Sequence, residues 1–184
     1  MLAGGRGSRL GGIEKGEIRL GDRRLIDVVV DAALAAGCER ALIAGGIGSS
    51  RAVSIREDPP FGGPAAGLAA ALPEVRSDWI MLLACDLPHA GLLCHLLAGS
   101  FRHITAELDG LVALSDSRIQ WLAGIYRRSS IEKAVARQMD LNGASLRSLL
   151  GDLKLREVQD PERLAHDIDT PEDLKALTRR EEEQ

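Results

Sequence analysis

The chain has 184 residues and a net charge of −4, a length that fits one domain around a single core. With 45% hydrophobic and 27% charged residues the body of the chain is globular rather than disordered, and its acidic balance argues against a general nucleic-acid binder. No apolar run approaches the roughly 18 residues of a membrane-spanning helix.

The elements alternate apolar runs with amphipathic stretches, which predicts β/α units and a mainly parallel sheet. Leu25 to Ala36 reads as a helix ended by Gly37, which tolerates the left-handed conformation of a helix terminus. Short strands are expected at Arg40–Ala44 and Ala52–Arg56. Pro64 to Leu72 reads as a helix with proline at its first position, where the missing N–H costs nothing. Trp79 to Ala84 is an unbroken apolar run, expected to be a central strand buried on both faces. A helix follows at Leu92–Phe101.

In the second half, Gly110–Leu114 and Trp121–Tyr126 read as strands around a polar turn, Ser115-Asp116-Ser117-Arg118. Antiparallel pairing of these two would make the sheet mixed. Short helices are expected near Ile131–Met139 and Ser145–Leu150, and a strand at Leu153–Val158. Thr170 caps a last helix with acidic residues in its first turn, and residues 179–184 form a charged tail. There is no internal repeat and no linker. The first residues lack the basic-then-apolar order of a signal peptide. Cys38, Cys85 and Cys94 form no Cys-x-x-Cys pair and read as reduced, mostly buried thiols of a cytoplasmic protein. The four histidines have no metal-ligand spacing.

Four segments carry possible chemistry. The opening stretch, Leu2 to Gly16, has glycine at 4, 5, 7, 11, 12 and 16 interleaved with Arg6, Arg9 and Lys15. Free backbone N–H groups among cations suit phosphate binding; the bland alternative is an entry loop without a ligand. It is not a Walker A loop, because Lys15 lies between Glu14 and Gly16, and Leu10 stands where a dinucleotide fingerprint needs its third glycine. Asp86, in Cys85-Asp86-Leu87-Pro88, follows the buried strand, at the sheet edge where α/β proteins bind ligands. It suits Mg²⁺ binding, or else a turn. Asp58, in the Gly- and Pro-rich loop 57–64, could contact a nucleotide or simply form its turn. Asp169, in Asp167-Ile168-Asp169-Thr170-Pro171, could be a second metal ligand or part of a helix cap. The indole of Trp121, after Gln120, suits packing better than an acceptor contact.

Taken in this order, the stretches 2–15, 57–68, 85–88 and 167–174 resemble the molybdenum cofactor guanylyltransferase (MobA-like) family of nucleotidyltransferases. The resemblance implies a three-layer Rossmann-like nucleotidyltransferase fold with a mainly parallel mixed sheet, as a single domain over residues 1–178. It places Leu2, Ala3, Gly4 and Gly5 by the base and ribose of a nucleoside triphosphate, with Lys15 and Arg9 on its phosphates. Asp58 corresponds to a nucleotide-contacting aspartate, Asp86 to the Mg²⁺-binding aspartate and Asp169 to a further ligand. Gly45 stands where the family often places Asn near the base. Met1 directly precedes Leu2, so either the first strand is expected to be short here or the chain begins late.

The implied reaction moves GMP from GTP to the phosphate of molybdopterin, with Mg²⁺ as cofactor and pyrophosphate as the other product. Molybdoenzymes or their chaperones would receive the dinucleotide; no nucleic acid or membrane is involved. Two alternatives stay open: a sibling enzyme using CTP or another phosphorylated acceptor, and a non-catalytic nucleotide-binding domain.

Overall fold

The computed structural model describes residues 1–3, 15–56, 62–168 and 173. The chain opens with β1 (Leu2–Ala3), a 3-10 turn at Lys15–Glu17, and a small hairpin of β2 (Arg19–Leu20) and β3 (Arg23–Arg24). Helix α1 (Leu25–Ala35) leads to β4 (Leu42–Gly45) and β5 (Val53–Ile55), then α2 (Pro64–Ala71), β6 (Trp79–Leu83) and α3 (Ala90–Phe101). The second half runs β7 (Gly110–Ser115), β8 (Arg118–Arg127), α4 (Arg128–Arg137), α5 (Leu146–Leu150) and β9 (Leu155–Gln159).

Two sets of strands make the main sheet. β5, β4 and β1 pair in parallel, and β6, β8, β7 and β9 follow in that order. A parallel bridge from Leu2 to Ala84, just past β6, joins the two sets. Among the described strands of this sheet only β8 runs against the rest, pairing antiparallel with β6 and β7, while β9 lies parallel to β7. The mainly parallel mixed sheet is therefore as expected, and the carboxyl ends of β1, β4, β6, β7 and β9 share one edge.

Strand alternation fills a layer on each face. Leu83, Leu111, Ala113 and Ile125 join Val29 of α1 and Leu93 and Leu97 of α3. Leu2, Ala44, Leu82, Val112 and Tyr126 face the other way, against Leu68 of α2, Ile131 of α4 and Leu149 of α5. With few aromatic residues available, these are mostly aliphatic layers; Tyr126 is the largest fully buried side chain among the described residues and its hydroxyl donates to the Trp121 carbonyl at 2.9 Å.

The helices at 25–35, 64–71 and 146–150 form as their patterns predict, Gly37 adopts φ +102°, and Ser145 caps α5 by accepting from the Ser148 amide at 3.0 Å. Three details differ. Trp79, Ile80 and Met81 are only partly buried, Trp79 and Met81 packing at the margin of the α1 and α3 layer and Ile80 against the opposite one. The polar turn shrinks to Asp116-Ser117, both left-handed (φ +49° and +61°), so Arg118 joins β8; mirror-image two-residue turns match strand twist. The β2–β3 hairpin, too short to show an alternating pattern, was not expected. The last helix is seen only at Asp173; Thr170 and the tail 179–184 lie outside the described residues. No helix among the described residues is long and apolar enough to cross a membrane.

β8 joins β6 to β7 within the sheet, and Gly124 sits in a crowded part of it. A Cβ there would lie 2.7 Å from the Leu111 carbonyl oxygen and 2.9 Å from Tyr126 Cε2. The backbone cannot yield, so Gly124→Ala should destabilise the fold by about 2–3 kcal/mol in urea denaturation. A loss under about 0.5 kcal/mol would show that β8 shifts freely.

Candidate active site at the carboxyl edge of the sheet

Three strand ends and one turn build the site. β1 delivers Leu2 and Ala3, both buried, with Ala3 in register with Gly45 at the end of β4. Gly45 adopts φ +142°, a conformation that penalises any side chain. β6 runs on through Ala84 to Asp86, which is 4% exposed. Opposite it, the Lys15 ammonium lies 2.9 Å from Asp86 Oδ2 and 3.5 Å from Asp167 Oδ2. One cation thus sits between a buried carboxylate and a half-exposed one, with side-chain exposures of 5% for Asp86 and 44% for Asp167.

Packing around Gly16 fixes the turn that carries Lys15. A Cβ on Gly16 would lie 3.1 Å from Ile47 Cδ1, 3.3 Å from Ile26 Cβ and 3.6 Å from Cys85 Cβ, so the backbone can only approach this closely as glycine. Arg24 clamps the other side of the turn. Its guanidinium makes a two-pronged bond to Asp27 (2.8 and 3.0 Å), reaches Glu17 at 2.9 Å, and donates to the Gly48 carbonyl at 3.1 Å. Beneath, Ile18 packs with Leu25 and Ile168 in a small apolar cluster, linking the turn to the segment that bears Asp167. The Ile168 amide also donates to the Asp86 carbonyl at 3.3 Å.

Burial pushes the Asp86 carboxyl above its ordinary range. The hydrogen bond and charge of Lys15 pull it back, and the neighbouring Asp167 raises it again. Burial likewise pushes the Cys85 and Cys94 thiols up to about 12, so neither is a nucleophile at neutral pH.

The structure brings Leu2, Ala3, Lys15, Gly45 and Asp86 to one edge of the sheet. Gly4, Gly5, Arg9, Asp58 and Asp169 lie outside the described residues. Trp121 packs against the apolar layer beneath α2, α4 and α5. Asp167 was missed, although it belongs to the same Asp-x-Asp stretch as Asp169. The sequence offers two adjacent carboxylates, and only the fold shows that the first one reaches Lys15.

Among the described residues no group of three or more His, Cys, Asp or Glu is placed to hold a metal ion. Two hard carboxylates on one cation are nonetheless a donor set that suits Mg²⁺, which typically takes one or two carboxylates and completes its shell with water and phosphate oxygens.

The MobA-like NTP transferase domain model matches residues 1–159. The chain belongs to that family. A Pseudomonas putida molybdenum cofactor guanylyltransferase is 31% identical over 185 residues, covering 89% of this chain and 93% of that protein. A Vibrio cholerae protein of the same name is 32% identical over 142 residues, covering 74% and 68%. The match to one from Pseudomonas syringae, 37% identical over 94 residues, spans only 46% of that relative. Among solved structures, molybdopterin-guanine dinucleotide biosynthesis protein A from Archaeoglobus fulgidus superposes with a TM-score of 0.72 at 24% identity, over 100% of this chain and 97% of its own. A 4-diphosphocytidyl-2C-methyl-D-erythritol synthase from Anaerococcus prevotii gives 0.70 at 12% identity, over 98% and 93%. These two likenesses establish the nucleotidyltransferase fold.

The Lys15–Asp86 pair has a pH signature. With a chelator present, Lys15→Met should destabilise the transferase by about 1–3 kcal/mol at pH 7–8, since it leaves a buried carboxylate without its cation. The deficit should shrink as the pH falls through the raised pKa of Asp86, because a protonated carboxyl needs no counter-charge. Urea denaturation across pH tests this. A deficit equal at all pH values would mean that Lys15 contributes packing alone.

Proposed function

We propose that this chain transfers GMP from GTP to the terminal phosphate of molybdopterin, forming molybdopterin guanine dinucleotide and pyrophosphate, within one domain over residues 1–178. The observation that carries the reading is Lys15 between Asp86 and Asp167, at the edge where β1 and β4 end. The names borne by the Pseudomonas and Vibrio relatives supply the guanylyl donor and the acceptor.

A phosphate oxygen of the acceptor attacks the α-phosphorus of GTP. The new O–P bond forms as the bond to the bridging α–β oxygen breaks, and its electron pair leaves with pyrophosphate. The acceptor is already an anion, so no general base is needed, which suits a site whose thiols are held protonated. Leu2, Ala3 and Gly45 form a close backbone floor for the nucleoside. Lys15 neutralises phosphate oxygens, together with Arg9 and the N–H groups of Gly4 and Gly5, and Asp58 contacts the nucleotide. Asp86, with Asp167 or Asp169, would hold Mg²⁺, which when bound offsets the charge that builds on the α-phosphoryl group and pyrophosphate. Asp86 is shielded from water on the protein side, which strengthens each of these charge interactions.

The three cysteines are free, in keeping with a reducing compartment, and we place the reaction in the cytoplasm. Molybdoenzymes or their chaperones would take up the product. Pyrophosphate release from GTP, CTP, ATP and UTP, with molybdopterin and Mg²⁺, tests the reading. GTP should be preferred by about tenfold or more, a difference of about 1.4 kcal/mol. Asp86→Ala should lower the GTP rate by about a hundredfold or more. Preference for CTP would overturn the guanylyl assignment, and no release with any nucleotide would overturn transfer itself.

A further inference from the structure

The carboxylate that pairs with Lys15 has far to come. Asp167 follows β9, yet Asp86 follows β6, and β8 and β7 lie between them. Three strand spacings of about 4.8 Å make roughly 14 Å to cross. The seven residue steps from Asp160 to Asp167 could reach about 23–25 Å if extended, so the segment has slack and its path must be set by specific bonds.

Asp160 supplies them. It is 2% exposed and stands immediately after β9, its own amide continuing the ladder to the Leu114 carbonyl at 3.0 Å. Its Oδ1 accepts from the Leu164 amide at 2.8 Å, and its Oδ2 accepts from the Ala165 amide at 2.9 Å and from Ser115 Oγ at 2.6 Å. Both oxygens are used, one against the end of β7 and both against the crossing segment. Ser115 Oγ lies also 3.2 Å from the Asp160 carbonyl. The turn this enforces puts Arg163 at φ +58°, held by a 2.8 Å bond from its Nε to Asp116 Oδ2. Leu164 and Ala165 are then pulled into the apolar layer of α1 and α3, and Ile168 reaches Ile18 and the Asp86 carbonyl.

We propose that Asp160 is a positioning residue for the active site: by gathering the Leu164 and Ala165 amides onto the end of β7, it fixes the crossing that brings Asp167 to Lys15. The role rests on the transferase reading only for its consequence in turnover; the crossing itself is tested without substrate. Asparagine in place of Asp160 keeps one acceptor oxygen but sets an amino group against a backbone N–H, so one of the two bonds is lost.

Two measurements decide it. In amide exchange followed by NMR, Asp160→Asn should speed exchange at Ile168 about tenfold or more, while the Ala84 amide, bonded to the Leu122 carbonyl at 3.0 Å, stays protected as proof of an intact sheet. In pyrophosphate release, Asp160→Asn and Asp167→Asn should each lose about tenfold, and the double variant should be within about twofold of Asp167→Asn alone, because one residue acts through the other. Unchanged Ile168 exchange, unchanged turnover in Asp160→Asn, or single losses that multiply to about a hundredfold would each overturn the proposal. If the natural chain shows no turnover at all, the exchange arm still decides the crossing and only the transferase reading fails. Should Asp160→Asn not fold, Ser115→Ala, which removes the bond tying Asp160 to the end of β7, should speed Ile168 exchange by about threefold or more with Ala84 still protected, and unchanged Ile168 exchange in that variant would overturn the proposal.

Discussion

A buried carboxylate needs a cation, and that requirement organises this molecule. Asp86 stands at the end of β6 with almost no contact with water, where ionisation is costly unless an opposite charge lies close. Lys15 answers it at 2.9 Å. Holding a long, flexible ammonium side chain at that distance requires that its backbone be held as well. Gly16 wedged among Ile26, Ile47 and Cys85, and Arg24 spanning Glu17, Asp27 and Gly48, do so from both sides. Mutual attraction of the pair and close packing of its supports are parts of one arrangement.

The architecture divides the labour. Aliphatic side chains on both faces of the sheet provide the driving force for folding, and few charged groups are asked to contribute there. Lys15, Asp86 and Asp167 meet at the carboxyl edge, where parallel strands end together and the loops after them face a common space. β8 is the exception that makes the edge complete. By running against its neighbours it lets β7 and β9 point the same way as β1 and β6. The chain therefore leaves β9 on the side of the site, and a short crossing carries Asp167 back to the first strands.

That crossing stores its specificity in polar bonds rather than in apolar contact alone. The left-handed Arg163 and Asp116 are conformations a chain adopts at some cost, and each is held by a bond to the other. The buried Asp160 carboxylate, with every oxygen satisfied, keeps the segment in one path where its length would allow many.

Much was legible from residues alone, because it depends on local pattern. The apolar run 79–84, the proline opening α2, the glycine after α1 and the alternation of strands and helices are short-range signals, and they placed the helices and most strands within a few residues. Lys15 and Asp86 could be singled out because a cation in a glycine-rich stretch and an acid after a buried strand are chemically conspicuous. What the sequence could not supply was distance. The six residues 19–24 that form β2, β3 and their turn show no pattern long enough to read, and nothing local marks Asp167 as a partner of Lys15 or Asp160 as more than a turn residue. Only the tertiary structure decided that Lys15 and Asp167, 152 positions apart, share one ion pair network with Asp86. The reason is physical: periodicity records which face a residue buries, whereas the meeting of side chains depends on strand order and on the path of one crossing segment.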